Sequence, residues 1–181
     1  MDSFESLIAN ILEYEGYWVY PSFKVELTST EKKKIGKPTC PRWEIDLLAY
    51  KGRYNELLVV ECKSFLDSTG VRYRGFNGTD KKDAKRYKLF NDLNLRRTIL
   101  KRVVKQLVES GSCSKNPKIK LCLATGKMAS EDDRKNISKL FNKKGWKLFD
   151  DLWIKNKLKT FAELKYENRV SAVVAKLLQR G

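Results

Sequence analysis

The sequence contains no histidine. That absence excludes Ser-His-Asp and Cys-His hydrolysis, histidine-ligated zinc and any hydrolase with an imidazole general base. Cysteine is scarce. Cys40, Cys62, Cys113 and Cys122 form no C-x-x-C pair, which excludes a zinc ribbon, a thioredoxin-like site and a dense disulfide framework. Acidic residues are short as well, 22 against 38 Lys and Arg, so the chain carries +16. No apolar run approaches the roughly 18 residues of a membrane span. The opening Met-Asp-Ser-Phe-Glu has neither the basic nor the apolar region of a secretory signal, so the expected address is a reducing cytoplasm. Repeats, low-complexity tracts and convincing linkers are also missing.

What remains is a globular composition: 181 residues, 41% hydrophobic and 33% charged. One domain accounts for that length, and it can bury roughly 70% of its unfolded surface with no need of disulfide or structural metal. The expected division is a core over residues 1–149 with a helical C-terminal extension over 150–181. An excess of +16 calls for a polyanionic partner, nucleic acid before an anionic membrane surface.

Apolar periodicity predicts a helix over 2–14, where Phe4, Leu7, Ile8, Ile11 and Leu12 form one stripe. Asp2 and Glu5 have the spacing of a capping box, and Gly16 can end the helix. Residues 17–27 read as a strand or extended edge, and the Lys- and Pro-bearing stretch 28–41 as a basic loop. Two apolar runs, 43–50 and 57–62, flank a turn and read as adjacent strands. A polar loop over 64–79 leads to helices at 80–92 and 95–109, the second capped by Asn94. A strand at 118–124, a helix at 130–143, a short strand at 146–149 and one or two helices within 161–178 complete an α/β domain with a central mixed sheet flanked by helices.

Chemistry concentrates in Trp43-Glu44-Ile45-Asp46 and Leu57-Leu58-Val59-Val60-Glu61-Cys62-Lys63. Asp46 interrupts one apolar strand and Glu61 ends the other. Side chains at i and i+2 of a strand share a face, so Glu61 and Lys63 project together while Cys62 points away. On neighbouring strands, Asp46, Glu61 and Lys63 converge. Carboxylates among apolar residues are costly unless compensated, and a divalent cation such as Mg²⁺ prefers such hard oxygen ligands. An adjacent ammonium can orient water or stabilise charge growing on phosphorus. The bland alternative is a strand-end acid beside a solvated cross-face pair.

These residues resemble the PD-(D/E)xK nuclease superfamily, whose pattern is an acid on one strand and (D/E)-x-K on the next. Asp46 matches the first acid and Glu61-Cys62-Lys63 the second part. Phe4-Glu5 and Ile11-Leu12-Glu13-Tyr14-Glu15-Gly16-Tyr17-Trp18-Val19 look like the first helix of the Mrr and Holliday-junction-resolvase branches. The resemblance spans roughly residues 2–125, with Ile45 standing where proline often precedes the acid. The tripeptide alone is unspecific, since it occurs six times, but only Glu61 follows four apolar residues with a strand-embedded acid upstream. The resemblance implies a restriction-endonuclease-like fold and a DNA endonuclease using Mg²⁺ or Mn²⁺. It implies metal ligation by Asp46, Glu61 and the Cys62 carbonyl, catalytic roles for Lys63 and Glu5, and a homodimer.

Several residues keep two readings. Glu5 either caps its helix or supports the metal. Glu44 is an auxiliary ligand or an exposed strand residue, and Gln106 an auxiliary group or a hydrogen-bonded helix residue. Residues 81–105 carry +8, from Lys81, Lys82, Lys85, Arg86, Arg96, Arg97, Lys101 and Arg102 among others. Solvated faces usually mix charges of both signs, so this run is expected to contact phosphates. Arg72 and Arg74, interleaved with Tyr73 and Phe76, suit a clamp on unpaired nucleic acid. Two other classes stay open: a catalytically silent nucleic-acid-binding module on the same scaffold, and a structural partner in a repair or defence assembly.

Overall fold

In the computed structural model, residues 2–39, 42–163 and 169–179 are described. Cys40 and Pro41, at the end of the expected loop, and 164–168, inside the expected C-terminal helical stretch, lie outside them. Five strands form one mixed sheet in chain order: β1 (Trp18–Val25), β2 (Trp43–Lys51), β3 (Glu56–Lys63), β4 (Lys118–Thr125) and β5 (Lys147–Phe149). The first three pair antiparallel, and β3, β4 and β5 run parallel.

The alternation of β2 and β3 divides the apolar residues between two faces. Leu47, Ala49, Leu58 and Val60 turn towards α1 (Ser3–Tyr14), α7 (Asp151–Glu163) and α8 (Val170–Gln179), meeting Ile8, Ile11, Phe161 and Ala172. Leu48, Leu57, Val59 and Leu123 turn the other way, towards α5 (Leu93–Glu109) and α6 (Glu131–Lys144), meeting Ile99, Val103, Ile137 and Phe141. Fully burying one such side chain contributes about 1.5–3 kcal/mol, so both faces drive the layering. The α/β class and the helix-flanked mixed sheet agree with the sequence.

Local differences have local causes. Part of the expected basic loop is helical, α2 (Ser29–Lys34), because Thr28 and Glu31 cap each other's backbone reciprocally. The single helix expected over 80–92 is broken into α3 (Lys81–Ala84), a 3₁₀ turn (Lys85–Tyr87) and α4 (Lys88–Asn91). Asp92, not Asn94, caps α5, its carboxylate accepting from Leu95 N–H at 2.9 Å, while Asn94 donates to the Lys34 carbonyl. Among the described residues no helix is long and apolar enough to cross a membrane.

Candidate active site

The β2–β3 ladder runs from Lys51–Glu56 to Leu47–Val60 and stops. Beyond it the strands part, and Asp46 substitutes its side chain for the missing backbone partner: Oδ2 accepts the Cys62 N–H at 2.7 Å. Asp46 is thereby fixed at the mouth of a small cleft of about 50 Å³ that it lines with Glu44, Val60, Glu61 and Leu89. On β3, the two-residue repeat puts Glu61 and Lys63 on one face, with Nζ 3.1 Å from Oε1. Their side chains are 17% and 25% exposed. The sheet has brought the two acids and the amine to adjacent strand ends.

Burial pushes the Glu61 carboxyl upward. Lys63 pulls against that shift, but the like charge of Asp46 adds to it and the net direction is up. Burial alone would lower Lys63, yet the charges of Glu61 and Asp46 outweigh it and its pKa is raised. Lys63 therefore does not offset the combined effect of burial and the like charge of Asp46 at Glu61.

No protein-family profile, curated protein or solved structure matches this chain.

The remaining expected residues take varied places. Cys62 turns its thiol into the opposite core, where burial and then Asp46 raise its pKa; only its main chain faces the site. Glu5 closes the capping box of α1, accepting the Asp2 N–H at 3.0 Å, and its charge also reaches Cys62. Glu44 lines the cleft while paired across β1–β2 with Lys24, which is the first cause of its lowered pKa. Gln106 stitches α5 to the end of β1, accepting from Glu26 N–H at 3.0 Å and donating to the Lys24 carbonyl at 3.3 Å.

The cations divide as well. Lys81, Lys82, Lys85, Arg86, Arg97 and Lys101 are exposed. Arg96 instead donates to the Leu89 and Phe90 carbonyls, both at 2.9 Å, and stacks on Trp146. Arg102 forks onto Glu31 at 2.6–3.1 Å. Both guanidiniums are engaged within the protein. Phe76 packs in an aromatic cluster with Tyr87, Phe90 and Phe141, and Tyr73 is half-buried against the same core, so both rings are partly taken up by the protein's own packing. Arg72 and Arg74 flank Tyr73 on the same loop.

Two contributors are absent from the sequence-derived site. Lys88, exposed on α4, is a further positive influence on Glu61. Gly126 follows β4 and donates its N–H to the Lys63 carbonyl at 3.2 Å. A Cβ there would come 2.5 Å from the Ser64 carbonyl oxygen, so only glycine lets β4 close on the end of β3. A lone glycine after an apolar strand is the only trace of this in the sequence.

Among the described residues no three or more Cys, Asp or Glu side chains gather as a metal-binding group. The donors on offer are two carboxylates and main-chain oxygen. That set suits a hard dication which keeps several waters, and such an ion would offset the like charges of Glu61 and Asp46.

Proposed function

We propose that the protein is a metal-dependent DNA endonuclease that hydrolyses phosphodiester bonds, a member of the PD-(D/E)xK superfamily with a restriction-endonuclease-like fold. The observation that carries this reading is the convergence of Asp46, Glu61 and Lys63 at the point where β2 leaves β3. Asp46 and Glu61 would hold Mg²⁺ or Mn²⁺ with the main chain of Cys62. When bound, such an ion polarises a phosphoryl oxygen and lowers the pKa of a coordinated water.

The chain's own groups define the rest. Asp46 cannot swing freely, because the Cys62 N–H holds one of its oxygens. Lys63, with a raised pKa, stays protonated and offers N–H donors where negative charge develops on phosphorus. Glu61 keeps that ammonium aimed from 3.1 Å. Glu5 sits at the edge of the arrangement, tied to its own helix, and Glu44 and Gln106 brace β1 and β2 beside it. The exposed Lys81, Lys82, Lys85, Arg86, Arg97 and Lys101 supply a surface on which phosphates can be held, with the salt dependence such contacts carry.

The decisive experiment incubates purified protein with duplex, single-stranded, branched and modified DNA in Mg²⁺ or Mn²⁺. Cleavage that EDTA abolishes is the expected result. Undiminished cleavage by an Asp46→Ala, Lys63→Ala double variant would remove the assignment. Salt-sensitive DNA binding with no hydrolysis of any substrate would leave a binding module on the same scaffold.

A further inference from the structure

The loop that follows β3 is pinned at several points. Val71 bridges to Met128, donating to the Lys127 carbonyl and accepting from Ala129 N–H, both at 3.0 Å. Tyr73 N–H is held by Asp133 Oδ1 at 2.7 Å. Gly70 has a φ of +87°, and a Cβ on it would meet the backbone of 127–129 at 2.8–2.9 Å. Asn91 donates to the Gly75 carbonyl at 2.7 Å. A stretch that composition marks as a polar loop is therefore seated on the segment after β4 and on α6, and its arginines are placed in advance.

Those arginines enclose a hollow of about 210 Å³, lined by Arg72, Arg74, Lys82, Arg86, Asp80 and Asp83. That is ample for a phosphoryl group with water around it. Asp83 and Asp80 steer the Arg74 guanidinium from 2.8 and 3.3 Å, and Arg86 rests over the ring of Phe65. Four cations against two carboxylates leave two positive charges. An internal phosphodiester brings one negative charge, whereas a terminal phosphomonoester brings about −1.5 to −2 at pH 7. Tyr87 lines this hollow, and Leu89, two residues on, lines the Asp46–Glu61 cleft. The charge of Glu61 also reaches Tyr87, so the two sites are neighbours.

We propose that this hollow is a subsite for the terminal phosphate of a nucleic-acid strand, so that the protein engages strand ends or nicks and presents a nearby internal bond to Asp46, Glu61 and Lys63. The adjacency to chemistry rests on the nuclease reading. The binding of the terminal phosphate does not.

The test is fluorescence anisotropy in EDTA, where no cleavage occurs, with one DNA duplex carrying 5′-phosphate, 3′-phosphate or hydroxyl ends only. One phosphorylated end is expected to bind about tenfold more tightly than the hydroxyl form, which is about 1.4 kcal/mol. An Arg72→Gln, Arg86→Gln variant should bind all three alike. Lys82→Gln should lose part of the preference, and Arg97→Gln, Lys101→Gln should weaken all three equally. Thermal melts check that each variant is folded. Asp46→Asn, Lys63→Ala should keep the preference, because the pocket does not use those groups. Equal affinity for the three ends, or a preference that survives Arg72→Gln, Arg86→Gln, overturns the proposal. Metal-dependent cleavage with no end preference would overturn the subsite and leave the nuclease. End preference without cleavage on any substrate would do the reverse.

Discussion

Two carboxylate–cation pairs in this protein have similar side-chain exposure, yet Glu61 lies much deeper among protein atoms than Glu31, and the two carboxyls shift in opposite directions. Glu31 and Arg102, 21% and 15% exposed, join α2 to α5. Glu61 and Lys63, 17% and 25% exposed, stand at the end of β3. Burial pushes both carboxyls upward. At Glu31 the Arg102 fork and the N–H and hydroxyl of Thr28 outweigh that push, and the pKa falls below the ordinary value. At Glu61 the push of burial is the largest influence and Asp46 adds to it; Lys63, with a smaller contribution from Lys88, does not outweigh them, and the pKa rises. The first pair is satisfied by its own donors and needs nothing more. The second is buried more deeply and stands beside a like charge, a combination common at functional sites.

The sharpest way to break that contrast is to neutralise the crowding acid. Asp46→Asn retains an acceptor for the Cys62 N–H but removes the like charge, and should lower the DNA cleavage rate by at least about 10²-fold. Glu61→Gln should do the same, whereas Glu31→Gln should leave the rate within about twofold. Steady-state cleavage of a fluorescent duplex measures all three. Comparable losses in Glu31→Gln would mean that the Asp46–Glu61 pair has no special standing.

A dication should separate the pairs without any substrate. At a Mn²⁺ concentration about 100 times its Kd, binding only to the folded state stabilises by about 2.7 kcal/mol. For a chain of this size that shifts the melting midpoint by about 5–10 °C. The wild-type protein and Glu31→Gln should both show the shift, and Asp46→Asn, Glu61→Gln should not. A shift that persists in the double variant would place the ion elsewhere.

Gly126→Ala tests the frame that holds the active end of β3. A methyl group 2.5 Å from the Ser64 carbonyl forces the backbone to move, at a cost of about 1–3 kcal/mol. Thermal unfolding should register that loss, and cleavage should drop with it because Lys63 shares the displaced segment. Unchanged stability would show that the end of β4 is looser than its hydrogen bond to Lys63 implies.

Most of the sheet was legible in the sequence because burial on two faces leaves apolar runs in β2 and β3, and β4 opens on an alternation of lysines with apolar residues. The acids were legible for the converse reason, since Asp46 and Glu61 interrupt or end those runs where nothing apolar would need them. Less visible was anything decided by a partner distant in sequence. The polar placement of Arg96 and Arg102 suggested solvent and phosphates, yet their partners are the Leu89 and Phe90 carbonyls and Glu31. Phe76 looked like a stacking ring because its neighbours are basic, although Tyr87, Phe90 and Phe141 enclose it. The α2 helix did carry a readable signal, the Thr28–Glu31 capping box, which the surrounding lysines and prolines obscured.

The smallest effect belongs to the satisfied pair. Removing it with Glu31→Gln should cost about 1 kcal/mol at neutral pH, in keeping with an ion pair that water still reaches. The sign with pH follows from the depressed carboxyl. A glutamate whose folded-state pKa lies below its ordinary 4.5 contributes stability above that value and loses it as pH falls through the folded-state pKa. The melting midpoints of wild type and Glu31→Gln should therefore differ at pH 7 and converge as acid protonates Glu31, a comparison best made in EDTA. A gap that stayed constant from pH 7 to strongly acidic solution would assign the loss to packing of the Glu31 side chain, and the charge contrast between the two pairs would then rest on Glu61 alone.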